Sequence, residues 1–283
     1  MPTPSHETLT LEVADHIAHV QFNRPDALNT MTLAFWRDMV AAFDEIDQRG
    51  DARAVVISST GRHFTAGLDL SVFDSLTDPG GDVGRRGERL RRTVLDMQES
   101  FSVVDRCRLP VIAAVQGACI GGGVDLISAC DIRLCTANAF FCIQEINIGM
   151  AADVGTLQRL PHLIPAGLVR ELAYTGRRMP AEEALSSGLV NTVFDDHEAL
   201  VAGALEMAGT IAEKSPLAIV GTKEMLNYAR DHTIADGLNH MATWQAGMLQ
   251  TDDLTRQMAA NQSKAAAEFD DLLPTKKPAT MGN

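Results

Sequence analysis

Val111-Ile112-Ala113-Ala114-Val115, followed after Gln116 by Gly117-Ala118-Cys119-Ile120-Gly121-Gly122-Gly123-Val124-Asp125, is the stretch on which the fold turns. Five apolar residues in an unbroken run read as a strand buried on both faces. The glycine run that follows opens a helix, where the first backbone N–H groups have no partner and the missing side chains let a ligand come close. The same order stands upstream, in Ala54-Val55-Val56-Ile57-Ser58 and then His63-Phe64-Thr65-Ala66-Gly67-Leu68-Asp69. Two such loops offer two N–H donors. Tight helix packing is the alternative use of the same glycines, and each loop alone leaves both open.

Outward from these segments the pattern repeats. Ile17-Ala18-His19-Val20-Gln21-Phe22 reads as a strand that ends at the turn Asn23-Arg24-Pro25-Asp26. Thr32 then caps a helix in which Leu33, Phe35, Met39, Phe43 and Ile46 recur at helical spacing until Gly50. After a Gly/Asp-rich loop at 77–84, a helix is predicted over 88–105, and a third round leads to a strand at Ile132-Arg133-Leu134-Cys135. A repeated strand, strand, helix unit cannot bury its own apolar face, so the units stack into an α/β spiral. Beyond Phe194 only helices are predicted, over 197–213, 216–230, 234–249 and 252–267. The expected division is a spiral core over 1–195 carrying the ligand site, a helical region over 196–270 and a disordered tail over 271–283.

Composition narrows the function. The chain has 283 residues, 46% of them hydrophobic, enough for a substantial core. Asp, Glu, Arg or Gln interrupts every apolar run before the roughly 20 residues a bilayer requires. With 37 acidic against 24 basic residues the net charge is −13, which opposes nucleic acid and anionic membranes as partners. The dense basic run Arg85, Arg86, Arg89, Arg91 and Arg92 reads as a solvated face, with a clamp for ligand phosphates as the alternative. Five cysteines, 107, 119, 130, 135 and 142, form no CxxC pair and imply neither disulfides nor a zinc site. The opening MPTPSHETLT resembles no export or organelle leader and the end is no peroxisomal tripeptide, so a cytoplasmic location is expected.

Three acids stand where neither strand nor helix propensity asks for them. Asp125 lies in the first turn of a glycine-led helix, Glu145 between Ile143 and Ile146-Asn147-Ile148, and Asp153 directly after Ala151-Ala152. A carboxylate in an apolar segment is costly unless paired or used, and its pKa rises towards the range that serves proton transfer. A satisfied structural group is the alternative for each. Neither glycine loop has dinucleotide spacing, and no lysine follows to make a phosphate loop.

Asn23-Arg24-Pro25-Asp26-Ala27-Leu28-Asn29, Phe64 to Asp69, and Gly121-Gly122-Gly123 with its following acid resemble the hallmark segments of the crotonase (enoyl-CoA hydratase/isomerase) superfamily, in order, over roughly 10–260. The stretches Gly121 to Arg133 and Ala151 to Pro161 are similar to the family's isomerases that convert 3,5-dienoyl-CoA to 2,4-dienoyl-CoA. The resemblance implies catalytic acids at Asp125, Glu145 and Asp153, and an oxyanion hole from the amides of Leu68 and Gly122. It implies acyl-CoA binding by Phe64, Thr65, Ala66, Gly67, Leu68 and Gly122. Coenzyme A is then part of the substrate, with no metal and no separate cofactor. Typical hydratases of the family carry Glu at the first two acid positions and a small residue at the third, so Asp125 and Asp153 favour the isomerase.

The implied chemistry is removal of the C2 proton by Glu145 and protonation at C6 by Asp153, with Asp125 tuning the site. A hydratase adding water to a 2-enoyl-CoA, a non-catalytic or RNA-binding relative and a structural assembly protein are the competing readings. The resemblance further implies fatty-acid β-oxidation and homotrimers, often paired into hexamers, through the C-terminal helices. Phe73, Leu76 and Met97 are candidates for setting pocket depth, and Arg24, Arg62 and Lys264 for meeting the CoA phosphates.

Overall fold

The structure is a computed structural model that describes residues 6–72, 80–249 and 252–275. Phe73, Leu76 and part of the Gly/Asp-rich loop lie outside the described residues.

Strands β1 (Leu9–Ala14), β2 (Ile17–Phe22), β3 (Ala54–Ser59), β4 (Val111–Val115), β6 (Ile132–Thr136) and β9 (Thr192–Phe194) form a sheet in the order β1-β2-β3-β4-β6-β9. A small second sheet orders β5 (Ala118–Ile120), β7 (Phe140–Cys142) and β8 (Met179–Pro180) as β5-β7-β8. In the large sheet β1 runs antiparallel to β2 and all other neighbours are parallel. Each parallel crossover carries the chain through helices, α1 (Leu33–Arg49) and α2 (Val83–Arg106) among them. This is the expected spiral. β1 is an addition to it, turned back onto β2 through Asp15 (φ 49) and His16 (φ 62), the left-handed pair that closes a two-residue hairpin.

The unbroken apolar strands have a physical cause. In β3 and β4, Val55, Ile57, Val111, Ala113 and Val115 face the main core, which α1 and α2 close with Phe35, Phe43 and Phe101. Ala54, Val56, Ile112 and Ala114 face the other way, and Leu200, Ala204 and Ala208 of the helix His197–Ala212 cover them. Alanine on both sides lets the helix lie close to the strands. This helix, expected in a separate helical region, is therefore a layer of the core itself.

Two buried cations fasten the later helices. Lys223 donates from Nζ to the Leu109 carbonyl at 2.9 Å and to Asp131 at 2.6 Å. Arg53 donates to the carbonyls of Ala212 and Phe269 and to the Asp271 carboxylate. The stretch 271–275, expected in the disordered tail, lies against α1: Thr275 N–H bonds the Gln48 carbonyl, and Leu272 packs on the core. The rest of that tail is outside the described residues.

Leu200→Ala should lower the free energy of unfolding by about 2–5 kcal/mol, the usual cost of a cavity left between helix and sheet. Urea denaturation followed by circular dichroism measures it, and a loss below that of a surface Leu185→Ala control would show that the helix is not part of the core.

Candidate active site

The two glycine loops meet. Thr65 bridges Cys119 in parallel, its N–H bonding the Ala118 carbonyl at 3.1 Å and its carbonyl taking the Ile120 N–H at 3.2 Å. A β-carbon on Gly67 (φ 88) would stand 2.8 Å from the Ile120 carbonyl oxygen. Only glycine adopts that backbone this close to another chain segment.

Nearly every amide of the first loop is used in this docking. Phe64 N–H bonds the Gln116 carbonyl, Ala66 N–H the Leu28 carbonyl, and Gly67 N–H the Thr65 hydroxyl. Besides His63 at the loop's start, Leu68 is the exception. Its neighbours Gly67 and Asp69 bond Met31 on one side, so its own N–H points to the opposite edge, where no acceptor among the described residues takes it. Gly122, the first residue of the helix Gly122–Ser128, likewise has an N–H with no such acceptor. The two amides named from the sequence are thus both without an acceptor among the described residues, on loops in contact.

Phe64 and Thr65, predicted as ligand-binding, turn their side chains inward. The Phe64 ring packs 5.4 Å from that of Phe22, and Thr65 Oγ1 donates to the Asn29 carbonyl. Their part is to dock the loop. The three glycines 121–123 also divide between the two readings of the sequence. Gly121 (φ 53, ψ −118) holds a conformation closed to other residues, and a β-carbon there would sit 3.0 Å from Glu145 Oε1. At Gly122 it would meet Met31 Sδ at 2.8 Å, and at Gly123 the Thr65 methyl at 2.5 Å. Tight packing and an open amide coexist.

The three acids gather beyond this pair, and each carboxyl is harder to ionise than usual. Asp125 is fully buried; Oδ1 accepts the Thr156 N–H at 2.6 Å and Oδ2 has no partner among the described residues. Burial pushes its pKa up to about 6 against the stabilising amide bond, with the Asp153 charge raising it further and Arg159 lowering it. Glu145 opens the 3-10 turn Glu145–Ile148, and its Oε2 is unpartnered among the described residues. Burial first, then the Asp125 charge, pushes it up to about 7. Burial also raises Asp153, which is half-buried at the tip of a loop. No cation is paired with any of the three among the described residues.

Of the candidates for CoA phosphates, Arg24 is engaged, bonding the Thr30 carbonyl at 2.6 Å, while Arg62 and Lys264 are exposed. The basic run 85–92 lies on the exposed first half of α2. All five cysteines are free and buried, with Cys107 pushed up to about 11 and Cys130 and Cys135 to about 12 by burial. Sequence reasoning missed Thr156, which holds Asp125, and Met31, which closes the back of Gly122. The Gly155-Thr156 helix start just after Asp153 was the available signal for the first; nothing marked the second.

An unengaged amide pair beside carboxylates of raised pKa is the arrangement of a protein that moves protons next to a carbonyl. Residues 12–272 match the sequence family described as Enoyl-CoA hydratase/isomerase, and the chain belongs to that family. It is 51% identical over 263 residues to a human protein named Delta(3,5)-Delta(2,4)-dienoyl-CoA isomerase, mitochondrial, covering 92% of this chain and 80% of that one. It is 41% identical to the peroxisomal protein of that name from Arabidopsis thaliana, covering 95% and 99%. A crystal structure of enoyl-CoA hydratase from Bacillus anthracis superposes with a TM-score of 0.84 at 29% identity, covering 93% and 99%.

The mitochondrial and peroxisomal relatives overturn the expected cytoplasmic location. Targeting addresses are read by receptors from segments outside the folded unit, so the fold and its site are indifferent to them.

Asp125→Asn should stabilise the protein above neutral pH. A carboxyl whose folded pKa is raised from 3.8 to about 6 holds more protons folded than unfolded, so stability falls as pH rises through that window. The amide substitution removes this loss and should add about 1–3 kcal/mol at pH 8 and nothing at pH 4. Melting curves at the two pH values test it; equal effects at both would refute the assigned burial cost.

Proposed function

We propose that the chain isomerises 3,5-dienoyl-CoA to 2,4-dienoyl-CoA, with the Leu68 and Gly122 amides receiving the thioester oxygen. Polarisation by two N–H donors stabilises the enolate formed when a C2 proton leaves, each donor being worth on the order of 3 kcal/mol in the transition state. Glu145 takes the C2 proton, the negative charge delocalises along the diene, and Asp153 delivers a proton to C6. One proton leaves and one arrives, so the double bonds move without redox change, and neither metal nor separate cofactor has a step to perform. Asp125 holds Thr156 and adds a negative charge that keeps Glu145 weak.

The observation that carries this reading is Asp153, a third raised acid beside the first two. A hydratase has no task for it. The name borne by relatives about half identical over most of this chain supports the same choice.

Asp153→Asn keeps shape and hydrogen-bonding capacity but cannot donate a catalytic proton, so product formation should fall by roughly two to four orders of magnitude. Exchange of the C2 hydrogen with deuterated solvent should continue in that variant and rise with pH through about 7, as Glu145 ionises. Glu145→Gln should stop both. Retained isomerisation by a folded Asp153→Asn protein would return the hydratase to first place.

The active particle is an oligomer, a trimer or a pair of trimers, assembled through the C-terminal helices. Ile234, Leu226 and Leu238, which are 84%, 69% and 68% exposed on one chain, supply the apolar surface that such contacts cover. Light scattering should give a multiple of 30.5 kDa, and a mass of one chain at micromolar concentration would dismiss the assembly.

A further inference from the structure

Asp153 has no regular element under it. It sits between the turn Glu145–Ile148 and the short helix Thr156–Arg159, in a loop that backs onto a cavity of about 510 Å³ lined by Gln98, Ser102, Val154, Gly155, Gln158 and Arg159. A proton donor that must reach one carbon atom needs to be held to within roughly half an ångström. Ala152 and Val154, on either side of Asp153, pack into the main core and hold the loop in place. Hydrogen bonds at three successive points fix it further.

Asp125 accepts the Thr156 N–H at 2.6 Å. Arg159 folds back over Gly155, where any side chain would collide with its guanidinium, and reaches the Val154 carbonyl and the Ser102 hydroxyl at 3.5 and 3.3 Å. The third bond reaches the acid's own backbone: Gln98 Nε2 donates to the Asp153 carbonyl oxygen at 2.6 Å. It is the one bond that the Gln98 side chain makes among the described residues. Gln98 stands on a firm base, because Ser100 and Phe101, two and three residues further along α2, are fully buried and Ser100 Oγ bonds the Trp36 carbonyl.

We infer that Gln98 is a positioning residue that sets where Asp153 points. The inference rests on the proposed role of Asp153 as proton donor at C6. Removing the Gln98 amide frees the loop towards the cavity without touching Glu145, the amide pair or any element of the core. The two half-reactions therefore separate. Abstraction at C2 depends on Leu68, Gly122 and Glu145 and proceeds as before, whereas delivery at C6 falters.

Gln98→Met keeps length without a donor, and Gln98→Glu at pH 8 keeps shape with no proton to give. In both, kcat for dienoyl product, read by ultraviolet absorbance, should fall on the order of tenfold to a hundredfold, with KM and C2 exchange changed by less than about threefold. Continued C2 exchange also certifies that a variant is folded. Undiminished product formation in either variant, or equal loss of exchange and product in both, would overturn the inference. Asp153→Asn run alongside separates the failures: if it loses isomerisation and the Gln98 variants do not, Gln98 is dismissed alone. If it keeps isomerisation, the donor role falls and the inference falls with it.

Discussion

A β-carbon at Gly67 would come within 2.8 Å of the Ile120 carbonyl, and the site depends on that close approach. The two loops touch along their backbones, through Thr65 and Cys119. Because the backbones are in contact, the amides of Leu68 and Gly122 stand at fixed places on a rigid seam. Such rigidity is what separates stabilisation of a developing charge from mere solvation, since nothing has to reorient as the charge appears. Each side of the seam is anchored in β3 or β4, both buried on two faces. The fold serves the site by making this junction stiff.

The acids obey a different logic. Three carboxyl groups share a region without a paired cation, and withdrawal from water raises all three more than their mutual repulsion does. The region therefore resists full ionisation at neutral pH and retains protons that can be exchanged. A lysine or arginine placed among them would make every group a permanent anion and end that exchange. Arg159 stays one layer back, where it ties the loop and tempers Asp125.

Much of this was legible because single residues carried it. Ala54 to Ser58 and Val111 to Val115 announced strands covered on both sides, and acids in apolar company announced strained ionisation. What escaped depends on tertiary partners. β1 alternates Leu9, Leu11 and Val13 with polar residues, a weak pattern beside the stronger β2 that it joins. Phe64 and Thr65 sit in a hallmark segment, yet their direction is set by Phe22 and Asn29, far off in sequence. Gln98 is 55 positions from the carbonyl it holds, and an amide on a mostly polar helix face carries no local mark. The helix His197–Ala212 reads as an appendage until the uncovered face of the sheet is seen to require it.

The five interior thiols have a consequence of their own. With a pKa of about 12, Cys130 and Cys135 are thiolate in roughly one molecule in a hundred thousand at pH 7, and alkylating agents or peroxide attack the thiolate. Their chemistry is silenced by the same burial that stabilises the fold. Any opening of the spiral restores it at once. Uptake of iodoacetamide by these positions is thus a clock for unfolding, started by nothing but the loss of native structure and readable in a crude mixture by mass alone.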